Sequence, residues 1–359
     1  MTKQQALPKN PDRAYLDLLN DVSFQPIFIM GSHRSGTTLL YSLLGTTRCF
    51  NVVQAYHVIH YQAILWNHIH AKEKKARDEL NTFLKQAGQG NRVIDEVKVS
   101  ADLVEEYGFV LRTSLLPPRL RPANLPSFID FCRKVQFVSD REKPLLLKNP
   151  WDSTNFIYLK SAFPNAKFIF VHRDPIHTIS SQIKAARALN ESKSRYHTLL
   201  TRGYEWLPEQ EGWQLNEREG WRDKVMSIIF SPDHELALWL SRRNVRRATR
   251  YFLQNLERLT PGDYTEVRYE DLCEEPSAAI GEILQFLGLR DESGVDYQAY
   301  VRPRPPRIGQ DVARLKPKID DELRAYRRYC NYVSDSSARS SNFTAPLQRK
   351  QGMNESERG

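Results

Sequence analysis

Residues 27–40 read Ile-Phe-Ile-Met-Gly-Ser-His-Arg-Ser-Gly-Thr-Thr-Leu-Leu, and this stretch restricts the fold more than any other. An apolar run of strand type stops at Gly31, a short polar loop follows, and Leu39, Leu40, Leu43 and Leu44 then recur at helical spacing. The pattern is a strand–loop–helix unit whose helix N-terminus turns its free N–H groups toward an anion in the loop. The loop comes close to the nucleotide-triphosphate pattern Gly-x-x-x-x-Gly-Lys-Ser/Thr. Gly31 and Gly36 have that spacing, but Thr37 stands where the lysine belongs, and the fixed cation of the loop is Arg34. The loop reads as a phosphate-type cradle that is not built to hydrolyse ATP or GTP.

Further apolar runs have the same character. Strands are predicted at residues 26–31, Asn51–Val53, Pro144–Lys148, Lys167–Val171 and Tyr264–Arg268. Helical patterns cover residues 36–46, about 56–85, 99–113, 125–138, 153–162, 233–257 and 276–287. Asp174 suits a helix cap and Pro175 a first helical turn. Alternating strands and helices imply a three-layer α/β fold, a mostly parallel central sheet flanked by helices. Residues 1–23 read as a lead-in with a short helix, and residues 331–359, rich in Ser, Asn, Arg and Gln, as a disordered tail.

The chain has 359 residues and a formal charge of +9, spread without a pure run of Lys and Arg. That distribution speaks against a nucleic-acid arm and suits a basic surface or an anionic ligand. Cys49, Cys132, Cys273 and Cys330 lie far apart and read as free thiols in a reducing compartment. The first twenty residues contain no apolar signal-peptide region, and no stretch approaches ~18 uninterrupted apolar residues. A soluble, cytoplasmic protein without a transmembrane segment is expected.

Three polar segments fall at predicted strand ends: the Gly31–Thr38 loop, Lys148, and Arg173-Asp174. Ligands of open α/β sheets bind at that edge, so Arg34, Lys148 and Arg173 are expected to converge on a cationic pocket. These residues also carry a resemblance. Arg34-Ser35-Gly36-Thr37-Thr38 after a strand, and Arg173-Asp174-Pro175 with Ser181 eight residues beyond the arginine, resemble the two donor-binding signatures of the sulfotransferases that use 3′-phosphoadenosine 5′-phosphosulfate (PAPS). Lys148-Asn149-Pro150 followed by Phe163-Pro164-Asn165-Ala166-Lys167-Phe168 looks like the K-x-P and F-P-x-A-K-F segments of the bacterial, carbohydrate and tyrosylprotein members. Tyr269-Glu270-Asp271-Leu272, Pro276 and Phe286-Leu287-Gly288-Leu289 resemble a later, structural segment. The four matches follow family order across residues 26–289.

The resemblance implies a P-loop-like sulfotransferase domain over residues 24–330, with residues 55–140 and 185–235 as acceptor-binding or lid regions. It implies that Ser32, His33, Arg34, Ser35, Gly36, Thr37, Thr38 and Leu39 cradle the 5′-phosphosulfate. Arg173 and Ser181 would hold the 3′-phosphate, with Arg307 and Gly309 a weaker match near the C-terminus. Sulfuryl transfer is chemically close to phosphoryl transfer, so positioning and electrostatics dominate. Arg34 and Lys148 would stabilise charge on the bridging and sulfonate oxygens, without a metal, as adenosine 3′,5′-bisphosphate (PAP) departs. The proton acceptor is less defined, because the two usual positions carry Gln54 and Pro150. His57 and His60 lie beside the first and share a helix face, so both are candidate bases. Carboxylates at Asp95, Glu96 and Glu105 are the alternatives.

The acceptor is expected to be a small-molecule, lipid or carbohydrate hydroxyl. The aromatics Tyr56, Tyr61, Trp66, Tyr107, Tyr196, Tyr204, Trp206, Trp213 and Trp221 either line its cleft or pack the core. Two other readings compete: a P-loop small-molecule kinase, and a non-catalytic nucleotide-binding protein.

Overall fold

The computed structural model describes residues 10–88, 90–92, 97–111, 118–191, 195–202, 236–301 and 308–333. Five strands form one sheet in the order β2-β3-β1-β4-β5: β1 (Pro26–Met30), β2 (Asn51–Val52), β3 (Leu145–Lys148), β4 (Lys167–His172) and β5 (Tyr264–Arg268). All four pairings are parallel. Every residue of β1 and β3 is buried, which is why these strands read as unbroken apolar runs.

Side chains alternate across the sheet and build two cores. On one face Ile27, Ile29, Leu146, Ile169 and Val171 meet Leu40, Tyr41, Leu43 and Leu44 of α1 (Thr37–Thr46). On the other, Phe28, Met30, Leu147, Phe168 and Phe170 meet a larger cluster of helices. These are α2 (Ala55–Ile59), α3 (Ile64–Ile69), α4 (Glu73–Gln86), α5 (Leu125–Phe137) and α6 (Phe156–Ala162). α7 (Pro175–Glu191) leads to α8 (Arg195–Arg202), and α9 (Leu236–Asn255) packs on α7 through Leu238 and Val245 against Ile176, Ile179 and Ile183. Then come α10 (Tyr269–Glu274), α11 (Pro276–Leu287), α12 (Gln310–Arg314), α13 (Lys316–Glu322) and α14 (Arg324–Tyr329).

The predicted helix over 99–113 is corrected. Ala55 donates its N–H to Leu103 O at 2.8 Å, Glu105 donates to Val53 O at 2.9 Å, and Gln54 bridges Val104 in antiparallel sense. A turn at Ser100–Leu103 comes first, the backbone from Leu103 to Glu105 is then committed to residues 53–55 just past β2, and a 3₁₀ turn follows at Tyr107–Leu111. The helical pattern over 56–85 divides into α2, α3 and α4. Most of the expected acceptor-binding or lid region at 185–235 and of the expected tail lies outside the described residues. Among the described residues no helix is long and apolar enough to cross a membrane.

Candidate active site

The loop after β1 is shaped by two glycines. A Cβ on Gly31 would lie 2.6 Å from Ser35 Oγ and 3.0 Å from Val171 O, so only a bare backbone lets the loop fold this tightly. Gly36 has φ of +100°, and a Cβ there would meet the Tyr269 ring at 2.3 Å. Arg34 itself lies in the left-handed region at φ 68°. Ser35 donates both its N–H and its hydroxyl to Ser32 O, at 3.1 and 2.8 Å. α1 begins directly afterwards, so the first-turn N–H groups at Thr37, Thr38 and Leu39 have no partner within the helix.

The two donor signatures are brought together. Arg34 Nε donates to Ser181 Oγ at 3.2 Å, and Arg173 Nη1 donates to Arg34 O at 2.8 Å. Gln182 Nε2 donates to His33 O at 2.8 Å. Parallel pairing of β1 with β4 makes this convergence unavoidable, because both loops leave neighbouring strands at the same edge. The Arg173 guanidinium lies over the Tyr269 ring at 4.3 Å, and its buried Nε has no hydrogen-bond partner among the described residues. A left-over buried N–H beside a glycine cradle fits a site that receives a polyanion. The arm behind Arg173 is tied down: Asp174 accepts from Ile176 N at 2.9 Å and pairs with Arg327 of α14 at 3.0 Å.

Lys148 stands at the end of β3, 2% exposed, and its Nζ lies 2.6 Å from Glu106 Oε1. Burial pushes the Glu106 carboxyl upward, but Lys148, with His33 and Arg92, pulls harder and leaves it below the ordinary carboxylate value. His33 packs edge-on against Trp151, with ring centroids 4.4 Å apart. Burial lowers its imidazole to about 4; Glu106 opposes this, whereas Lys148 and Arg34 reinforce it. His33 is therefore neutral at physiological pH, and Trp151 is 40% exposed at the rim.

Other expected residues sit elsewhere. His57 and His60 are each 3% exposed. His57 Nδ1 accepts the Gln54 N–H at 3.2 Å and so caps α2, while burial and the nearby Arg77 lower its imidazole to about 3. His60 is lowered to about 3 for the same two reasons. Glu105 is 1% exposed, and its Oε1 accepts from Arg92 Nη1 at 3.1 Å and Tyr196 OH at 2.7 Å. Asp95, Glu96 and Arg307 lie outside the described residues. Gly309 is brought to α7, where its N–H donates to Ser180 Oγ at 2.9 Å, one position before Ser181. Tyr56, Tyr107 and Tyr196 are core residues. Sequence reasoning missed Glu106 and Trp151. The pair Glu105-Glu106 was the available signal, because on extended backbone adjacent side chains point to opposite sides and only one can enter the core.

The model of a family described as "Sulfotransferase family" matches residues 26–232. Among curated proteins, the omega-hydroxy-beta-dihydromenaquinone-9 sulfotransferases Stf3 of Mycobacterium bovis and Mycobacterium tuberculosis are each 27% identical over 315 residues, 80% of this chain. The match spans 66% of the length of those relatives. Among solved structures, sulfotransferase STF9 from Mycobacterium avium superposes with a TM-score of 0.58 at 14% identity, over 88% of this chain and 80% of that one. STF1 from Mycobacterium tuberculosis gives 0.52 at 16% identity over the same shares. At such identities these two show the fold alone. The family match over more than half of the chain, with both signature loops at one sheet edge, places this protein in the sulfotransferase family.

Proposed function

We propose that this chain transfers a sulfuryl group from PAPS to a hydroxyl of a small-molecule or lipid acceptor and releases PAP. The observation that carries the reading is the joining of Arg34, Arg173 and Ser181 around the Gly31–Thr38 loop. The first-turn N–H groups of α1 and the Thr37 and Thr38 hydroxyls hold the 5′-phosphate. Arg173, with its unsatisfied Nε, and Ser181 hold the 3′-phosphate. Arg34 and Lys148 neutralise charge that grows on the departing oxygen and the sulfonate, as cations already present in the site. Tyr269 supports the Arg173 guanidinium from its flat side.

An apolar acceptor is supported by two facts: the half-exposed Trp151 at the rim beside His33, and the menaquinone derivative in the names of the 27% identical relatives. The decisive experiment is a thermal shift without magnesium. PAP at about 100 times its Kd stabilises by about 2.7 kcal/mol, which raises Tm by several degrees, whereas ATP does little. A larger shift with ATP and magnesium than with PAP would instead favour the small-molecule kinase reading.

A further inference from the structure

We infer that Glu106 is the group that takes the proton from the acceptor hydroxyl, and that Lys148 restrains it until the donor arrives. The inference rests on the sulfuryl-transfer reading above and adds the residue that reading leaves open.

The run from Leu103 to Glu105 is hydrogen-bonded to Val53 and Ala55, the residues that follow β2, and β2 pairs with β3. That placement delivers the next side chain, Glu106, onto the end of β3, where Lys148 Nζ meets it at 2.6 Å. Glu106 is thus within one hydrogen bond of the cation that faces the transferring group. It keeps 17% exposure, while Lys148 beneath it has 2%, so the carboxylate is the member of the pair that an entering hydroxyl can reach.

Of the other candidate bases, Asp95 and Glu96 lie outside the described residues, and the rest are engaged elsewhere. His57 uses Nδ1 to cap α2 and is buried in the larger core, and His60 is equally buried. The Glu105 carboxylate is held by Arg92 and Tyr196. Glu106 is the described carboxylate in direct contact with Lys148.

The groups facing Glu106 are Lys148 on β3, His33 in the loop, Arg92 and Glu105 on its own side, and His197 on α8. His33 is neutral at physiological pH, so Lys148 is the main restraint. Paired with Lys148, Glu106 is a weak base. When the ammonium turns toward the anionic donor, burial acts on the carboxylate with less opposition and its basicity rises. In the transfer step the acceptor O–H bond breaks and its proton moves to Glu106. The new O–S bond forms as the S–O bond to the phosphate breaks, and that electron pair leaves on the PAP oxygen. Glu106 then returns its proton to solvent.

The test uses the full chain, labelled PAPS and two acceptors: water, giving free sulfate, and 1-dodecanol, giving its sulfate ester. PAP thermal shifts are recorded in parallel. In Glu106→Gln the shift with PAP equals or exceeds that of the natural protein, because Lys148 is freed for the anion. Turnover falls at least 100-fold in kcat with little change in KM for PAPS, and the acid limb of the kcat/KM profile disappears. Glu106→Asp, which keeps the charge, loses at least 10-fold and retains an acid limb. Glu106→Gln turning over within three-fold of the natural rate, with its acid limb in place, overturns the role of Glu106 and leaves the donor site standing. Absence of a PAP shift in the natural protein overturns the donor reading itself.

Discussion

Replacing Lys148 by Met leaves the Glu106 carboxylate without the cation that holds it at 2.6 Å. Breaking a buried pair from one side costs about 3–5 kcal/mol, because the remaining charge is desolvated and uncompensated. Glu106 keeps 17% exposure and Arg92 nearby, which places this case at the low end, about 3 kcal/mol. With a urea slope near 3 kcal/mol/M, the midpoint falls by about 1 M at pH 7. In the natural protein the Glu106 carboxyl titrates below its unfolded value. Its contribution is present above the ordinary carboxylate range and is lost as pH falls through the depressed folded value. In Lys148→Met the order reverses: burial raises the folded value, so the penalty is present at pH 7 and relieved as the carboxyl takes up a proton toward pH 5. Lys148→Met/Glu106→Gln removes both charges and recovers about 2 kcal/mol, measured as a double-mutant cycle by urea denaturation. Equal destabilisation by Lys148→Met at pH 7 and pH 5, or a coupling below about 0.5 kcal/mol, would refute the reasoning.

Arg34→Ala is expected to abolish transfer of labelled sulfate while the protein stays folded by circular dichroism; normal turnover would sink the assigned role of the loop cation. Gly36→Ala forces a φ of +100° on an L-residue and a 2.3 Å approach to Tyr269, so PAP binding weakens at least ten-fold by calorimetry. Asp152→Ala removes a carboxylate that accepts from Tyr107 OH at 2.7 Å and from Asn149 and Asn155 Nδ2 at 2.8 Å each, and should cost about 3–5 kcal/mol in chemical denaturation. His172 is expected to make the protein lose stability at alkaline pH. Burial acts to lower its imidazole, but the Cys330 thiol and the Glu266 carboxylate outweigh it and raise it to about 10. Its contribution is therefore full below about 6.5 and lost as pH rises to about 10, and Tm of His172→Gln should be flat across that window.

The strand positions and the cradle were legible because their signals are local. Unbroken apolar runs marked β1, β3 and β4, and the Gly31 to Gly36 spacing marked the loop. Parallel pairing then carried Arg34 and Arg173 to one edge, as strand-end logic implies. Residues 99–113 misled because their apolar spacing fits a helix, while their hydrogen bonds are made to residues 53–55, about fifty positions earlier. His57 misled for a related reason. Its sequence position beside Gln54 suggested a base, and its ring nitrogen serves that same residue's backbone.

The sequence by itself determined the α/β class, the glycine-bounded loop after β1 and the family, since each is written in short runs of neighbouring residues. Only the tertiary structure decided which acid meets Lys148. Glu105 and Glu106 are chemically identical neighbours, and nothing in the chain ranks them. Pairing of their segment with the end of β2 sends one carboxylate to Arg92 and Tyr196 in the interior and leaves the other on the ammonium.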